Sequence, residues 1–167
     1  MKKIGSFFAI LLIVLGVDSA LKAYIHQCIP LFSHSLPFFP FGGIGVFHDW
    51  HGISFSIVHV LNKGAAWGMF ASLQKYLLIA RIGIIGVLIA NLFFSKTTFL
   101  RTLGLSLIIA GALGNVVDFF VYGHVVDMFY FTFGSYSYPV FNIADSSIFA
   151  GIALLIGKSA YAKWVST

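Results

Sequence analysis

The chain has 167 residues, contains no glutamate, and carries only five acidic residues, all of them aspartate. Charged residues make up 9% of the chain, whereas about a quarter of a typical soluble domain is charged. Hydrophobic residues make up 59%, and the mean hydropathy is +0.97. A composition this poor in charge excludes an ordinary soluble domain and indicates that lipid surrounds most of the chain.

The chain also lacks the residue patterns of several enzyme and binding classes. Without glutamate it has no HExxH motif of zinc proteases, and its six histidines show no such metal-ligand spacing. No GxSxG motif marks a serine nucleophile, and the single cysteine, Cys28, has no partner for an internal disulfide. The basic residues are scattered, which argues against a nucleic-acid-binding patch. We therefore predict no metal, no cofactor and no nucleic-acid partner.

Four long apolar stretches dominate the sequence, over residues 4–24, 76–94, 99–119 and 141–156. The first three reach the roughly 20 residues that a helix needs to cross a bilayer. The fourth is shorter, so we expect it to begin at the membrane interface. The pattern predicts an all-α membrane protein with four transmembrane helices, in a single integral membrane domain over residues 1–167. A cleavable signal peptide is an alternative for the first stretch alone.

Basic residues indicate the orientation of these helices. Four spans bring three groups of them to one side of the membrane: Lys2 with Lys3, Lys96 with Arg101, and Lys158 with Lys163. Positive residues mark that side as cytoplasmic, so both termini are expected there. Residues 25–75 and 120–140 are then expected on the outer side.

The first outer segment has a composition of its own. Residues 36–70 are rich in glycine, proline and aromatic side chains. Residues 54–62 include β-branched side chains and partly alternate between apolar and polar residues. This pattern predicts a strand. We expect a small extracytoplasmic β-rich segment that lies on the membrane, with its aromatic side chains at the level of the lipid headgroups.

Three of the predicted helices carry polar residues toward their outer ends. At a rise of about 1.5 Å per residue, Asp18 and Asp145 lie roughly 20 Å from the cytoplasmic ends of their helices. Asn115 and Asp118 lie roughly 24–28 Å along the third helix. A carboxylate inside a membrane is costly and marks a candidate functional site. The similar depth of these residues therefore predicts one site near the outer face.

These polar residues also have structural interpretations. Asp18 precedes Lys22 by four residues, which is the spacing of an intrahelical ion pair. Asn142 precedes Asp145 by three, which is the spacing of a helix N-cap and its partner. Asp118 lies near the C-terminal end of its helix, where the dipole disfavours negative charge. A partner that is a cation or an amide is therefore expected for Asp118.

Five short blocks containing polar residues follow one another along the chain. They are Asp18 with Lys22; Asn62-Lys63-Gly64-Ala65-Ala66-Trp67-Gly68; Gly111-Ala112-Leu113-Gly114-Asn115-Val116-Val117-Asp118; Val125-Val126-Asp127; and Phe141-Asn142-Ile143-Ala144-Asp145-Ser146. In this order they resemble the signature blocks of the bacterial lipoprotein signal peptidases, or signal peptidase II. Each block is a weak signal alone, but the five together cover nearly the whole chain.

The resemblance implies a membrane aspartyl endopeptidase of the bacterial inner membrane, in which Asp127 and Asp145 form the catalytic pair. It implies a prolipoprotein substrate with a diacylglyceryl-modified cysteine, and cleavage just before that cysteine. We expect a monomer. Supporting or substrate-binding roles fall to Asp18, Lys22, Asn62, Gly64, Asn115, Asp118 and Asn142. Because Asp145 lies in the first turn of a predicted helix, we interpret it as the ionised member of the pair.

The chain departs from the family pattern at three places. Phe119 stands directly after Asp118, where the family usually has arginine, so the sequence offers no obvious partner for Asp118. The stretch Tyr136-Ser137-Tyr138-Pro139 lacks the usual tryptophan, and the first block lacks the usual glutamine. Two other functions stay open on the sequence alone: a small proton-coupled carrier or channel subunit, and a membrane scaffold without activity.

Overall fold

The computed structural model describes residues 2–33, 35–36, 38–63, 74–96 and 98–165. In chain order its elements are α1 (Lys2–Cys28), β1 (Ile44–Trp50), β2 (Ile53–Asn62), α2 (Gln74–Phe94), α3 (Phe99–Tyr122), β3 (Val125–Phe133), β4 (Tyr136–Ser137) and α4 (Ile143–Val165). All four helices are long and apolar enough to cross a membrane, with mean hydropathies from 1.4 to 2.3. The predicted fold class, four membrane helices with a small β-rich part, is confirmed.

The fourth helix is longer than the sequence predicted. The apolar stretch was expected to end at residue 156, whereas α4 runs to Val165 and its apolar part alone extends over Ile143–Tyr161. Lysine at position 158 ends the apolar run, but lysine is a good helix former, so the helix does not end there. The Lys158 ammonium also donates to the Thr98 hydroxyl at 2.6 Å. The length of the apolar stretch therefore underestimated the length of the helix.

Contacts within the chain define two compact units, and the first is helical. It comprises Met1–Asp18, Leu78–Val117 and Ile143–Thr167. Its apolar core is formed by Phe7, Ile85, Leu92, Leu105, Ile109 and Val116. Over half of the most apolar window of α3 is buried, against less than a fifth in each of the other helices. Helix α3 therefore supplies half of these core residues, and the other helices leave most of their apolar surface for lipid.

Glycines allow α3 and α4 to approach closely within this first unit. A Cβ atom at Gly111 would overlap the backbone carbonyl of Ala144 and lie 2.9 Å from Cγ1 of Ile148. A Cβ at Gly104 would lie 3.0 Å from the carbonyl oxygen of Gly151. Because small residues let membrane helices pack backbone against backbone, these glycines fix the α3–α4 contact.

Gly111→Ala is expected to destabilise the protein by about 1–3 kcal/mol, the usual cost of overpacking a tight contact. The added methyl group would overlap the backbone carbonyl oxygen of Ala144, which, unlike a side chain, cannot rotate out of the way. Thermal unfolding in detergent measures the effect. Gly157→Ala on α4 is the matched control, because a Cβ there meets nothing within 4 Å. Equal stability of the two variants would contradict the close packing of α3 on α4.

The second unit, Ser19–Leu77 with Asp118–Asn142, contains the sheet. Its four strands are antiparallel in the order β1-β2-β3-β4. The predicted strand over residues 54–62 is confirmed as part of β2. Strands β3 and β4 were not predicted, since most of β3 is buried on both faces and shows little of the alternation that reveals a strand. Ile25, Ile29, Val126 and Met128 form the core beneath this sheet.

Candidate active site

Two asparagines hold the carboxylate of Asp127 in the second unit. The Asn62 amide donates to Oδ2 at 2.9 Å, and the Asn142 amide donates to Oδ1 at 2.7 Å. Asp127 is 2% exposed. Antiparallel pairing of β2 with β3 sets Asp127 opposite Val60, which brings the end of β2 and its Asn62 beside the carboxylate. Each oxygen of this buried carboxylate therefore has a fixed hydrogen-bond donor.

Lys22 is the cation that pairs with Asp118. Its ammonium lies 2.7 Å from Asp118 Oδ2, and both side chains are essentially fully buried. The same oxygen also accepts the backbone N–H of Val126 at 3.2 Å. The sequence had offered Asp118 no obvious partner, because Phe119 replaces the usual arginine. In this fold the lysine of α1 supplies the positive charge at the end of α3 instead.

In the first unit, the side chain of Asp18 caps helix α4. Its Oδ1 accepts the backbone N–H of Ala144, the second residue of that helix, at 2.9 Å. The first N–H groups of a helix have no partner inside the helix, and a carboxylate there satisfies one of them and complements the dipole. A Cβ atom at Gly114 would lie 2.7 Å from Asp18 Oδ2, so this position of α3 leaves no space for a side chain.

Asp145 lies in the first turn of α4, also in the first unit, and is half-buried. The Asn115 amide of α3 donates to its Oδ1 at 2.8 Å. The first helical turn offers a favourable field for this carboxylate, as the sequence predicted. Asn115 and Asp145 are therefore brought together, as are Asp18 and the start of α4.

The predicted site residues thus fall into two groups, one in each unit. The first unit holds Asp18, Asn115 and Asp145, and the second unit holds Lys22, Asn62, Asp118, Asp127 and Asn142. Gly64 lies outside the described residues. Within the described residues, the sequence had not indicated that Lys22 pairs with Asp118 or that Asp18 caps α4. Both contacts join segments far apart in the chain, so no local signal reveals them.

The chain matches the family model of signal peptidase (SPase) II over residues 10–161. A lipoprotein signal peptidase from Chlamydia trachomatis serovar L2 is 37% identical over 160 residues, covering 93% of this chain and 92% of the relative. A lipoprotein signal peptidase from Streptococcus pneumoniae is 35% identical over 159 residues, covering 93% of each chain.

The fold also matches solved structures of bacterial membrane enzymes obtained by the in meso method. One has a TM-score of 0.75 and 27% identity, covering 96% of this chain and 90% of that one. A second has a TM-score of 0.74 and 29% identity, covering 92% and 91%. Sequence and fold agree over nearly the full length, and the chain belongs to the signal peptidase II family.

Proposed function

We propose that this protein is a membrane aspartic endopeptidase that removes signal peptides from prolipoproteins. The observation that carries this function is the family match over residues 10–161, which includes Asp127 and Asp145. The protein is a multi-pass protein of the bacterial inner membrane, in keeping with its four apolar helices. A carrier or channel subunit, the alternative on the sequence alone, is not favoured, because relatives named lipoprotein signal peptidase match along more than nine-tenths of the chain.

We assign the catalytic pair to Asp127 and Asp145. Both are hydrogen-bonded by asparagine side chains, which orient a carboxylate without adding a competing charge. Asn142 donates to Asp127 and precedes Asp145 by three residues, so one short segment serves both acids. The proposal requires the two carboxyl groups to share one proton, since two like charges at close range do not both ionise easily.

The proposed reaction is hydrolysis by a water molecule that the ionised carboxylate activates. The water oxygen attacks the scissile carbonyl carbon while its proton passes to that carboxylate. The protonated partner gives its proton to the carbonyl oxygen, which yields a neutral tetrahedral intermediate. When the C–N bond breaks, the first carboxyl group returns its proton to the departing amine, and the partner recovers its own from the collapsing diol. No covalent acyl-enzyme is formed.

The hydrogen bonds bear on which acid is ionised at rest. The dipole of α4 favours a charged Asp145, whose Oδ1 accepts the Asn115 amide. Asp127 accepts an amide N–H on each of its two oxygens, and donors to both oxygens favour the charged form. Both members of the pair thus have hydrogen-bond donors, and we keep Asp145, in the first turn of α4, as the carboxylate that activates the water, with Asp127 as its protonated partner. The roles exchange during turnover.

The remaining candidate residues are assigned supporting roles. Asn62 and Asn142 orient Asp127, and Asn115 orients Asp145. The buried Lys22–Asp118 pair fixes the ends of α1 and α3, and Asp18 fixes the start of α4. Gly64, which follows the Asn62 strand end in the sequence, is assigned to substrate binding, where a residue without a side chain lets a peptide backbone approach.

The proposal also covers the lipid group on the substrate and the orientation of the protein in the membrane. The substrate carries a diacylglyceryl group on the cysteine that follows the cut, and its acyl chains lie against apolar helix surface or lipid. Exposed side chains such as Phe8, Leu12, Ile79 and Val87 supply that kind of surface on α1 and α2. Both termini face the cytoplasm and the catalytic pair lies near the outer face, as the basic residues indicate. The protein acts as a monomer and a single integral domain.

Lipid dependence of cleavage tests this function. The purified protein in detergent is given a diacylglyceryl-modified prolipoprotein and, separately, the same precursor without lipid. We expect the lipidated precursor to be cleaved with a kcat/KM at least about 100-fold higher, because binding of the acyl chains adds several kcal/mol that the bare precursor lacks. Equal cleavage of both precursors would contradict the proposed substrate class. Absence of cleavage of either by a folded protein would contradict the function.

A further inference from the structure

Three histidines that the proposed function does not use converge in the second unit. His26 lies in the last turn of α1, His59 lies on β2, and His124 lies between α3 and β3. One ring nitrogen of each lies within 4.8 Å of those of the other two. The ring centroids of His26 and His59 are 5.3 Å apart, and those of His26 and His124 are 6.2 Å apart.

The ring of His59 is oriented so that one of its nitrogens can bind a metal ion. The side chain is 5% exposed, and its Nδ1 lies 3.0 Å from the carbonyl oxygen of Ile29, so Nδ1 carries the proton and donates it. The lone pair is therefore on Nε2, which is buried and has no hydrogen-bond partner among the described residues. A buried polar atom without a partner is costly and calls for an explanation. Metal-bound histidines typically donate their other ring nitrogen to a carbonyl in this way.

His124 repeats the pattern. Its Nε2 is also buried without a hydrogen-bond partner among the described residues. His124 also makes a hydrogen bond with the backbone of Tyr122, in which Nε2 takes no part. Burial outweighs such bonds and lowers the pKa of both His59 and His124. The buried Nε2 atoms of His59 and His124 are thus both placed to bind a metal ion.

We propose that His26, His59 and His124 bind a divalent transition-metal ion, for which Zn²⁺ is the best match. Imidazole nitrogen suits Zn²⁺, Cu²⁺ and Ni²⁺, whereas Mg²⁺ and Ca²⁺ prefer oxygen ligands. Three histidines with one open position for water complete a tetrahedral site. A Zn–N distance of about 2.0–2.1 Å places the three nitrogens about 3.3 Å apart. The three ligand atoms lie within 4.8 Å of one another, so side-chain shifts of at most about 1.5 Å bring them to that separation.

The position of the cluster indicates what a bound ion does. His26 lies one helical turn beyond Lys22 on α1, and Lys22 holds Asp118 at the end of α3. His59 is on the strand whose end carries Asn62, and His124 precedes β3, which carries Asp127. An ion at the three histidines therefore ties α1, β2 and the start of β3 together. Its role is to position these elements, and it takes no part in peptide hydrolysis.

Metal binding by the parent protein is the first test. The protein is purified with a tag that contains no histidine, stripped with a chelator, and titrated with Zn²⁺ and with Co²⁺ in detergent and without substrate. We expect one Zn²⁺ per chain, intense visible absorption from tetrahedral Co²⁺, and a higher unfolding temperature with Zn²⁺. A folded parent without stoichiometric binding would overturn the proposal. Since no substrate is used, the result is independent of the proposed peptidase activity.

Three matched variants locate the site. His26→Asn and His124→Asn each remove one ligand. The buried His59 is left unchanged, because its substitution is more apt to disturb folding. Loss of a ligand's hydrogen-bond partner typically weakens metal binding by about 10–100-fold, so loss of a ligand is expected to weaken it by more than about 100-fold. His51→Asn, at the exposed turn between β1 and β2, is expected to bind Zn²⁺ like the parent. Equal affinity in all three variants would assign the bound metal to another place and overturn the site.

Discussion

Asp145→Asn is expected to lower kcat for prolipoprotein cleavage by about 10³-fold, within the 10²–10⁴ that a general acid or base typically contributes. Asparagine cannot give its proton to the carbonyl oxygen or receive one. The substitution keeps an oxygen that accepts the Asn115 amide, so the local hydrogen bond survives. Single-turnover cleavage measured by mass spectrometry gives the rate. Asp127→Asn is expected to cause a loss of similar size.

The two variants differ in what they do to the fold. An asparagine at position 127 turns an NH₂ group toward the amide donor of either Asn62 or Asn142, which leaves one pair of donors facing each other. Asp127→Asn is therefore also expected to be less stable, and its unfolding temperature is measured beside its activity. Asp145→Asn keeps the oxygen that accepts the Asn115 amide and is the cleaner test of catalysis.

A double variant and a surface control complete the series. Because a catalytic pair acts as a unit, the Asp127→Asn/Asp145→Asn variant is expected to be hardly slower than either single variant. Asp49→Asn on β1 is the matched control: Asp49 is exposed and has φ of 50°, a conformation that asparagine tolerates. It is expected to cleave like the parent. Retention of more than a tenth of the parent rate by Asp145→Asn would contradict the assigned pair.

Lys22→Met is expected to destabilise the protein by about 3–5 kcal/mol, the usual cost of removing one partner from a buried ion pair. Methionine resembles lysine in length but leaves the carboxylate of Asp118 buried without its cation. The free energy of unfolding in mixed detergent micelles measures the loss. Lys75→Met on α2 is the matched control, since Lys75 is exposed and such substitutions typically change stability by less than about 0.5 kcal/mol.

A second substitution tests whether the lost charge is the cause. When Asp118→Asn is added to Lys22→Met, the charge of Asp118 is removed together with its cation, and the amide oxygen still accepts the Val126 N–H. The double variant is therefore expected to be more stable than Lys22→Met alone. If Lys22→Met costs less than about 1 kcal/mol, the buried ion pair does not replace the missing arginine, and another explanation of Phe119 is needed.

The helices and the family were predictable because their signals are local. A run of about 20 apolar residues identifies a membrane helix wherever it packs. The blocks around Asp127 and Asp145 each occupy a few consecutive residues, so the resemblance can be recognised without a fold. The strand over residues 54–62 was also predictable, because its β-branched residues partly alternate.

What the sequence did not reveal depends on contacts between distant segments. The spacing of Asp18 and Lys22 allowed an intrahelical pair, whereas the pairing of Lys22 with Asp118 requires α1 to lie beside the end of α3. The capping of α4 by Asp18 likewise joins the first helix to the last. The three histidines of the proposed metal site come from three separate elements, so no spacing rule applies to them. Burial of most of β3 on both faces hid its strand character.

The masses of the two products formed from a diacylglyceryl-modified prolipoprotein test the central claim most directly. The account predicts that the purified protein, without added metal, releases an intact signal peptide and a mature chain that begins with the lipid-modified cysteine, and that Asp145→Asn releases neither. Cleavage at another bond, or an unchanged precursor after incubation with a folded and monodisperse protein, would contradict it.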